Sequence, residues 1–476
     1  MIKVTEKSHY WMLAVVSVLM MIPHSMAFWG NGNYPTDACV YLRCAEWMQD
    51  GLTMYRDMFD HKGPLVYMIY GPVSYLGTMG VWLLDVVILY ISLLLIYRIA
   101  RLFVNNRNSL VIAGLMACFI QLPFLDEGGP EWLATPGCIY GCYLFAKHLK
   151  DRGQCSFVEM ALFSAAVGIC LFTKPNTVAG LVPLALYFAL RLFRHFDWKV
   201  FGRYVVAVIV GLAIVLLPIG LWLYQNGNLQ DFIDAYWTFN TSAYAPMTRA
   251  KMIQGKIIVT SICLAGLFPY AIYAYVEKKR SWQFWFISLL FFFTVLMNAY
   301  LKNGYPHYIF PCVAVFALVM SMVWSFVRSR KWLYRITLGL FMLIGIGTFG
   351  ARTFMRMMPF DISKDIRAAQ FINANTTEND YVMVCDIDDR ERWSSTGPTF
   401  SFTYRLWLRL KAKPASPYFY LPPSITDEMR AKSWRLQQER MPKFVVCTND
   451  QEQAYIDLGY KRTIDLQNDF YILQRP

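Results

Sequence analysis

The chain has 476 residues, of which 56% are hydrophobic, 17% aromatic and only 16% charged. Soluble domains carry about 25% charged residues. That depletion, with apolar runs of roughly 17 to 24 residues recurring from Tyr10 to Gly350, excludes a soluble enzyme, a disulfide-stapled scaffold and a disordered chain. The net charge of +13 is topological and does not mark a nucleic-acid binder: of the 27 Lys and Arg before Arg352, 19 fall in alternate loops between the apolar runs. Every second loop is basic, which is the pattern of the positive-inside rule.

In chain order, spans are expected at about 10–28, 80–97, 109–125, 132–147, 157–173, 177–193, 204–224, 257–276, 283–300, 307–327 and 333–351. These eleven helices put the N-terminus in the cytoplasm and the C-terminus outside. The first run also resembles a signal peptide, with Lys3 and Lys7 before it and Ser25-Met26-Ala27, like a cleavage site, near its end. Its length, with Pro23 and His24 inside it, favours a span. The first outer loop, 29–80, is long. Val40, Tyr41, Cys44 and Met48 recur there at helical spacing, Asp50-Gly51 forms a stop, and an aromatic helix too short to span begins at Pro64. That helix is expected to lie in the membrane interface. A second outer segment, Gln225–Lys256, is polar with aromatic anchors.

The chain thus divides into a membrane domain, 1–351, and an extracytoplasmic tail, 352–476. The tail reads as a small α/β domain: a helix over Asp361–Asn375, a strand at Tyr381–Asp386, a helix ending at Arg440 and capped by Ser424 or Thr426, a strand at Lys443–Thr448, and a hairpin of 462–466 and 470–474 turning at 467–469. Alternation of helix and strand favours a parallel or mixed sheet. Most of the eleven cysteines sit in spans, and Cys385 and Cys447 end the two tail strands where a disulfide can form. Sequons stand at Asn240 and Asn375.

Four polar stretches fall near one face of the membrane: Asp37 with Arg43 and the run from Tyr55 to Leu65; Asp126-Glu127 and Glu131; Thr173-Lys-Pro-Asn176; and Lys302 to Tyr308. Each also has a plain structural reading. Asp37 suits a helix N-cap, Lys62 a snorkelling anchor, His307 and Tyr308 the interface, the acidic turn a solvated loop, and Asp85 and Glu159 snorkelling span ends. From the residues alone, this is a membrane protein with a polar site reached from outside.

The acidic residue after the first span, Gly51 to Tyr55, Phe59-Asp-His-Lys-Gly-Pro-Leu65, Glu131 opening the fourth span, Thr173–Asn176 and Tyr305-Pro-His-Tyr308 together resemble the C-type (GT-C) glycosyltransferases. More closely, they resemble bacterial relatives of the protein O-mannosyltransferases and lipid A aminoarabinose transferases. One departure is that Asp37 is followed by Ala38, where many relatives carry a second acidic residue; a role for that carboxylate passes to Asp60 or Glu131. The resemblance implies an α-helical polytopic enzyme of the inner membrane that moves one sugar from a polyprenyl phosphate to an acceptor hydroxyl on a glycan, lipid or protein, with inversion. Asp37 is then the base. Lys62 is the first cation for the donor phosphate, followed by His61, Lys174 and His307. Arg43, Tyr55, Asp60, Glu131 and Tyr308 are further site candidates. Asp37, Asp60 and Glu131 are oxygen ligands suited to Mg²⁺ or Mn²⁺ if a metal is used. Rival classes are a flippase, a diphosphate-linked glycan ligase or oligosaccharyltransferase, and a non-catalytic assembly subunit. A flippase places polar groups through the midplane, commonly in repeated halves; here they gather at one face and no repeat is visible.

Overall fold

The computed structural model describes residues 6–30, 32, 34, 36–120, 128–151, 154–243, 249–276, 286–290, 310–357, 361–385, 400–419, 426–466 and 470–476. Helices α1 (Glu6–Met20), α2 (Thr36–Gln49), α3 (Pro64–Ser74), α4 (Gly77–Arg101), α5 (Asn106–Ile120), α6 (Pro130–Asp151) and α7 (Phe157–Thr173) come first. A 3₁₀ turn (Pro175–Gly180), α8 (Val182–Arg194), α9 (Trp198–Asn226), α10 (Leu229–Phe232) and a π-helix (Ile233–Ala243) follow, then α11 (Arg249–Val276), α12 (Phe310–Ser329) and α13 (Lys331–Met357). Among the described residues, five segments are long and apolar enough to cross a membrane: Gly77–Arg101, Pro175–Arg194, Trp198–Asn226, Phe310–Ser329 and Lys331–Phe354. Asn106–Ile120, Phe157–Thr173 and Leu267–Val276 are shorter apolar helices. The expected ninth span lies mostly outside the described residues.

Local chemistry explains where the elements begin and end. Ser156 and Glu159 form a reciprocal capping box at the start of α7. Asp197 accepts the Lys199 and Val200 N–H groups to open α9, and Gly227, at φ 59°, ends it. Glu159 is thus a cap that also pairs with Lys147, and it does not snorkel. The first span is shorter than 10–28: α1 stops at Met20, and the chain turns through residues 21–30. Pro23 cannot donate a helical hydrogen bond, and the turn is pinned to α4. There His24 Nε2 meets Asp85 Oδ2 at 2.8 Å, its Nδ1 accepts the Met26 N–H at 3.0 Å, and Trp82 Nε1 donates to the Met21 carbonyl at 2.9 Å. Asp85 is fully buried, so it too does not snorkel.

Helix α12 is buried along nearly its whole length against α6, α4, α5 and α11. Close contact of α7 with α9 depends on Gly211, where a Cβ would lie 2.0 Å from the Ala161 carbonyl oxygen. Small residues permit this approach between membrane helices, whose packing is driven by van der Waals contact.

The tail contains α14 (Ser363–Ala374), β1 (Tyr381–Val384), α15 (Phe400–Trp407), β2 (Lys413–Pro414), α16 (Asp427–Arg440), β3 (Phe444–Thr448), α17 (Asn449–Ile456), β4 (Lys461–Asp465) and β5 (Phe470–Gln474). Thr426 caps α16, its hydroxyl accepting the Met429 N–H at 3.2 Å; Ser424 and the 467–469 turn lie outside the described residues. The sheet is mixed, in the order β2-β1-β3-β5-β4, with β2-β1 and β1-β3 parallel and the other pairs antiparallel. Its strands alternate between two cores, as a period of two requires. Val382, Val384, Phe444, Val446 and Ile472 join the main core, while Met383, Cys385, Val445, Cys447 and Leu473 form a second one. Cys385 and Cys447 are free thiols, with Cys385 Sγ 3.1 Å from the Tyr455 hydroxyl.

The tail packs on the first loop. Trp47 of α2 meets Trp407 and Phe419 edge-on at 5.3 and 5.0 Å, and the Phe59 N–H donates to the Pro417 carbonyl at 2.8 Å.

Candidate functional site

Asp37 lies in the first turn of α2, half-buried, where the helix dipole favours a carboxylate. One turn on, the Tyr41 hydroxyl donates to Asp37 Oδ2 at 3.1 Å. The Tyr41 ring packs edge-on against Tyr67 and Tyr70 of α3, with centroids 6.0 and 5.6 Å apart. This aromatic bridge links the start of α2 to the loop before α3.

That loop is tightly built. Tyr55 has φ 71°, unusual for a residue other than glycine, and its N–H donates to the Met58 carbonyl at 2.8 Å. Its hydroxyl donates to the Lys62 carbonyl at 2.8 Å. Burial, and after it the Asp60 carboxylate, pushes the Tyr55 phenol well above its usual range, so it stays a donor. Asn228 Nδ2 holds the Met54 carbonyl at 2.9 Å, and Asn240 Nδ2 holds the His61 carbonyl at 2.7 Å.

Asp60 to Lys62 form a relay. The Tyr67 hydroxyl donates to Asp60 Oδ2, and the His61 N–H donates to Asp60 Oδ1 at 2.6 Å. His61 Nδ1 lies 3.3 Å from the same Oδ1, and the Lys62 ammonium donates to His61 Nε2 at 2.8 Å. An Nε2 that accepts leaves the imidazole hydrogen on Nδ1, facing Asp60. Lys62 is only 8% exposed. Among the described residues no carboxylate pairs with its ammonium, which has donors left for an anion.

Gly63 docks this loop on the end of α7. Its N–H donates to the Thr173 carbonyl at 3.0 Å, which brings the main chain at Lys62 beside that at Lys174. Lys174 Nζ pairs with Glu131 Oε1, and both side chains are largely buried. The α10 and π-helix segment closes over the loop, with the Phe239 ring 5.1 Å from Phe59 and 5.7 Å from His61.

The sequence-selected residues therefore separate. Asp37, Tyr55, Asp60, His61 and Lys62 are joined through Tyr41 and Tyr67, and Glu131 and Lys174 stand at the α7 end beside Gly63. Lys174 is already neutralised by Glu131, which weakens its expected part as a phosphate cation. Arg43 is engaged elsewhere: it donates to Glu46 Oε2 at 2.9 Å and to the Leu410 carbonyl, and lies over the Trp47 ring. It ties α2 to the tail. His307 and Tyr308, like Asp126 and Glu127, lie outside the described residues. Among the described residues Asp37, Asp60 and Glu131 form no group able to hold a metal ion. Sequence reasoning missed Tyr41, Tyr67 and Asn240 as members; the i, i+4 spacing of Asp37 and Tyr41 was the available signal.

No family model matches the sequence, and no curated protein matches it. Solved structures do. The chain superposes on ArnT from Cupriavidus metallidurans, apo, with TM-score 0.61 at 12% identity over 98% of this chain and 96% of that one. Against ArnT bound to undecaprenyl phosphate the TM-score is 0.64 at 11% identity, over 98% of both chains. Against the Archaeoglobus fulgidus oligosaccharyltransferase it is 0.51 at 13% identity, over 95% of this chain and 70% of that one. Together with the apolar helices, this makes the chain an integral membrane protein with the fold of the C-type (GT-C) membrane glycosyltransferases.

Proposed function

We propose that the protein is an inverting glycosyltransferase that moves a single sugar from a polyprenyl phosphate to an acceptor hydroxyl at the outer face of a bacterial inner membrane. The chain crosses that membrane eleven times and its tail lies outside. The observation that carries the reading is the buried Lys62 ammonium, held by a neutral imidazole and with no carboxylate partner among the described residues. A buried charge is costly unless compensated, and a phosphate supplies the compensation. The undecaprenyl phosphate bound by the similar ArnT supports this choice of anion.

In the reaction, Asp37 takes the proton of the acceptor hydroxyl as the oxygen attacks the anomeric carbon. The bond from that carbon to the phosphate oxygen breaks on the opposite face, and polyprenyl phosphate leaves with the bonding pair. Phosphate is a good leaving group and needs neutralising cations, not a proton; Lys62 supplies one, oriented by His61 and, behind it, Asp60. Tyr41 keeps the Asp37 carboxylate pointed by its hydrogen bond. The first loop, roofed by the tail and the Phe239 segment, limits water at the reacting carbon.

The test is transfer by purified protein from a panel of radiolabelled polyprenyl-phosphate sugars to envelope acceptors. Asp37→Asn is expected to lose about 10²–10⁴-fold in turnover while keeping donor binding, and Lys62→Met to lose donor binding. Wild-type turnover in Asp37→Asn removes that residue as base. Movement of sugar-lipid across vesicles without transfer replaces the reading with a flippase.

A further inference from the structure

The bundle carries a second polar cavity that the reading above does not use. It opens between the ends of α6, α8 and α9, has a volume of about 270 Å³, and is lined by His148, Gln154, Phe188, Arg191, His195 and Tyr204 among others. His148 stands 17 residues after Glu131 on one helix. At 1.5 Å per residue that is roughly 26 Å along the axis, so the cavity lies at the far end of the bundle from Lys62.

Three observations point to an anion. Among the described residues no carboxylate lines the cavity, and of the carboxylates in the surrounding turns Asp197 and Glu159 are already engaged, while Asp151 acts on His148 from an exposed position. Asp197 accepts the Lys199 N–H at 2.7 Å and the Val200 N–H at 3.3 Å, and Glu159 pairs with Lys147. Second, His148 is 7% exposed, and its Nε2 is buried with no hydrogen-bond partner among the described residues, although a buried polar atom ordinarily has one. Third, Arg203 donates to the lining Gln154 at 3.0 Å, and the exposed Arg194 and Lys199 adjoin the lining His195 and Val200 in sequence. Beside them stand the exposed rings of Phe193, Phe196 and Trp198, with Phe196 and Trp198 in edge contact at 4.8 Å. Cations interleaved with exposed aromatic rings suit the headgroup level of a membrane.

We propose that this cavity binds a phosphate ester, with Arg191 and His148 as its principal ligands. The chemistry is shared by the headgroup of an anionic lipid and by a small soluble phosphate. The volume suits a headgroup-sized anion and is below the usual range for drug-sized ligands.

The test uses the full chain in detergent micelles, doped in turn with phosphatidylglycerol or phosphatidylcholine, and separately titrated with inorganic phosphate against chloride at equal ionic strength. Melting temperature and retained lipid, read by native mass spectrometry, are the signals. Phosphatidylglycerol or inorganic phosphate is expected to raise the melting temperature. Arg191→Gln is expected to weaken that binding about tenfold or more. His148→Phe, which keeps the ring contacts with Tyr187 and Phe188, weakens it in the same direction. Arg328→Gln, a charge removal at the end of α12, leaves it unchanged. A response to phosphatidylglycerol alone assigns the site to a lipid headgroup, and a response to inorganic phosphate assigns it to a soluble ester. The proposal is overturned if no probe acts on wild type, if both cavity variants bind as wild type does, or if Arg328→Gln loses as much as Arg191→Gln.

Discussion

Gly63→Ala should damage this protein far more than its chemistry suggests. Gly63 has φ −68° and ψ 151°, a conformation alanine adopts freely, so backbone strain plays no part. The damage comes from contact: a Cβ there would lie 1.9 Å from the Phe172 carbonyl oxygen and 2.4 Å from its carbonyl carbon. Even the closest C–H···O contacts hold carbon and oxygen about 3.3 Å apart, so the loop must retreat by roughly 1.4 Å. The Gly63 N–H bond to Thr173 then breaks, costing about 1 kcal/mol, and residual crowding adds about 1–3 kcal/mol. A retreat of that size moves Lys62, one residue away, and misplacement by about 1 Å can cost roughly 10²-fold in rate.

Gly71→Ala is the matched control on α3. Nothing lies within 4 Å of its Cβ position, and alanine gains about 0.5–1 kcal/mol over glycine inside a helix. Thermal unfolding and sugar transfer are measured on both variants. Gly63→Ala is expected to lower the melting temperature and to reduce transfer about a hundredfold, while Gly71→Ala keeps wild-type transfer and melts at or slightly above wild type. A Gly63→Ala protein with wild-type melting temperature and turnover would refute the docking of the first loop on α7. Lowered stability with full turnover would keep the docking and remove Lys62 from the reaction.

Lys174→Met leaves Glu131 buried without its partner and is expected to destabilise by about 3–5 kcal/mol; adding Glu131→Gln should recover much of that loss in a thermal melt, and two additive losses would deny the pairing. Trp47→Ala empties the space between Trp407 and Phe419 and should cost about 3–5 kcal/mol, seen as faster tryptic cleavage of the tail; an unchanged digestion pattern counts against the tail resting on α2. Tyr55→Phe removes only the hydroxyl that holds the Lys62 carbonyl. It should cost about 1 kcal/mol and weaken donor binding more than turnover, and equal loss of both would place Tyr55 in the chemistry.

Much of the architecture was legible in the residues because it is written in local periods. Apolar run length located α4, α9 and α12. Short apolar runs located β1, β3 and β5, and Thr426 marked a helix start by a side chain that reaches only its own next turn. Short pieces escaped: α15, α17 and the two-residue β2 have too few positions for a period to register. At α1, Pro23 sat inside the apolar run, but the turn it begins is held by Asp85, which lies 61 residues from His24.

For the site, the sequence determined which chemistry was present: a carboxylate at a helix start, a His-Lys pair before a short helix, a second lysine after a span. Only the tertiary structure decided who compensates whom. Lys174 is neutralised by Glu131, 43 residues earlier, while Lys62 meets, among the described residues, the imidazole beside it, and Arg43 is drawn to Leu410, 367 residues away. A residue's type sets the charge it carries, but a buried charge is governed by what lies within a few ångströms of it. That neighbourhood is assembled by packing between elements far apart in the chain.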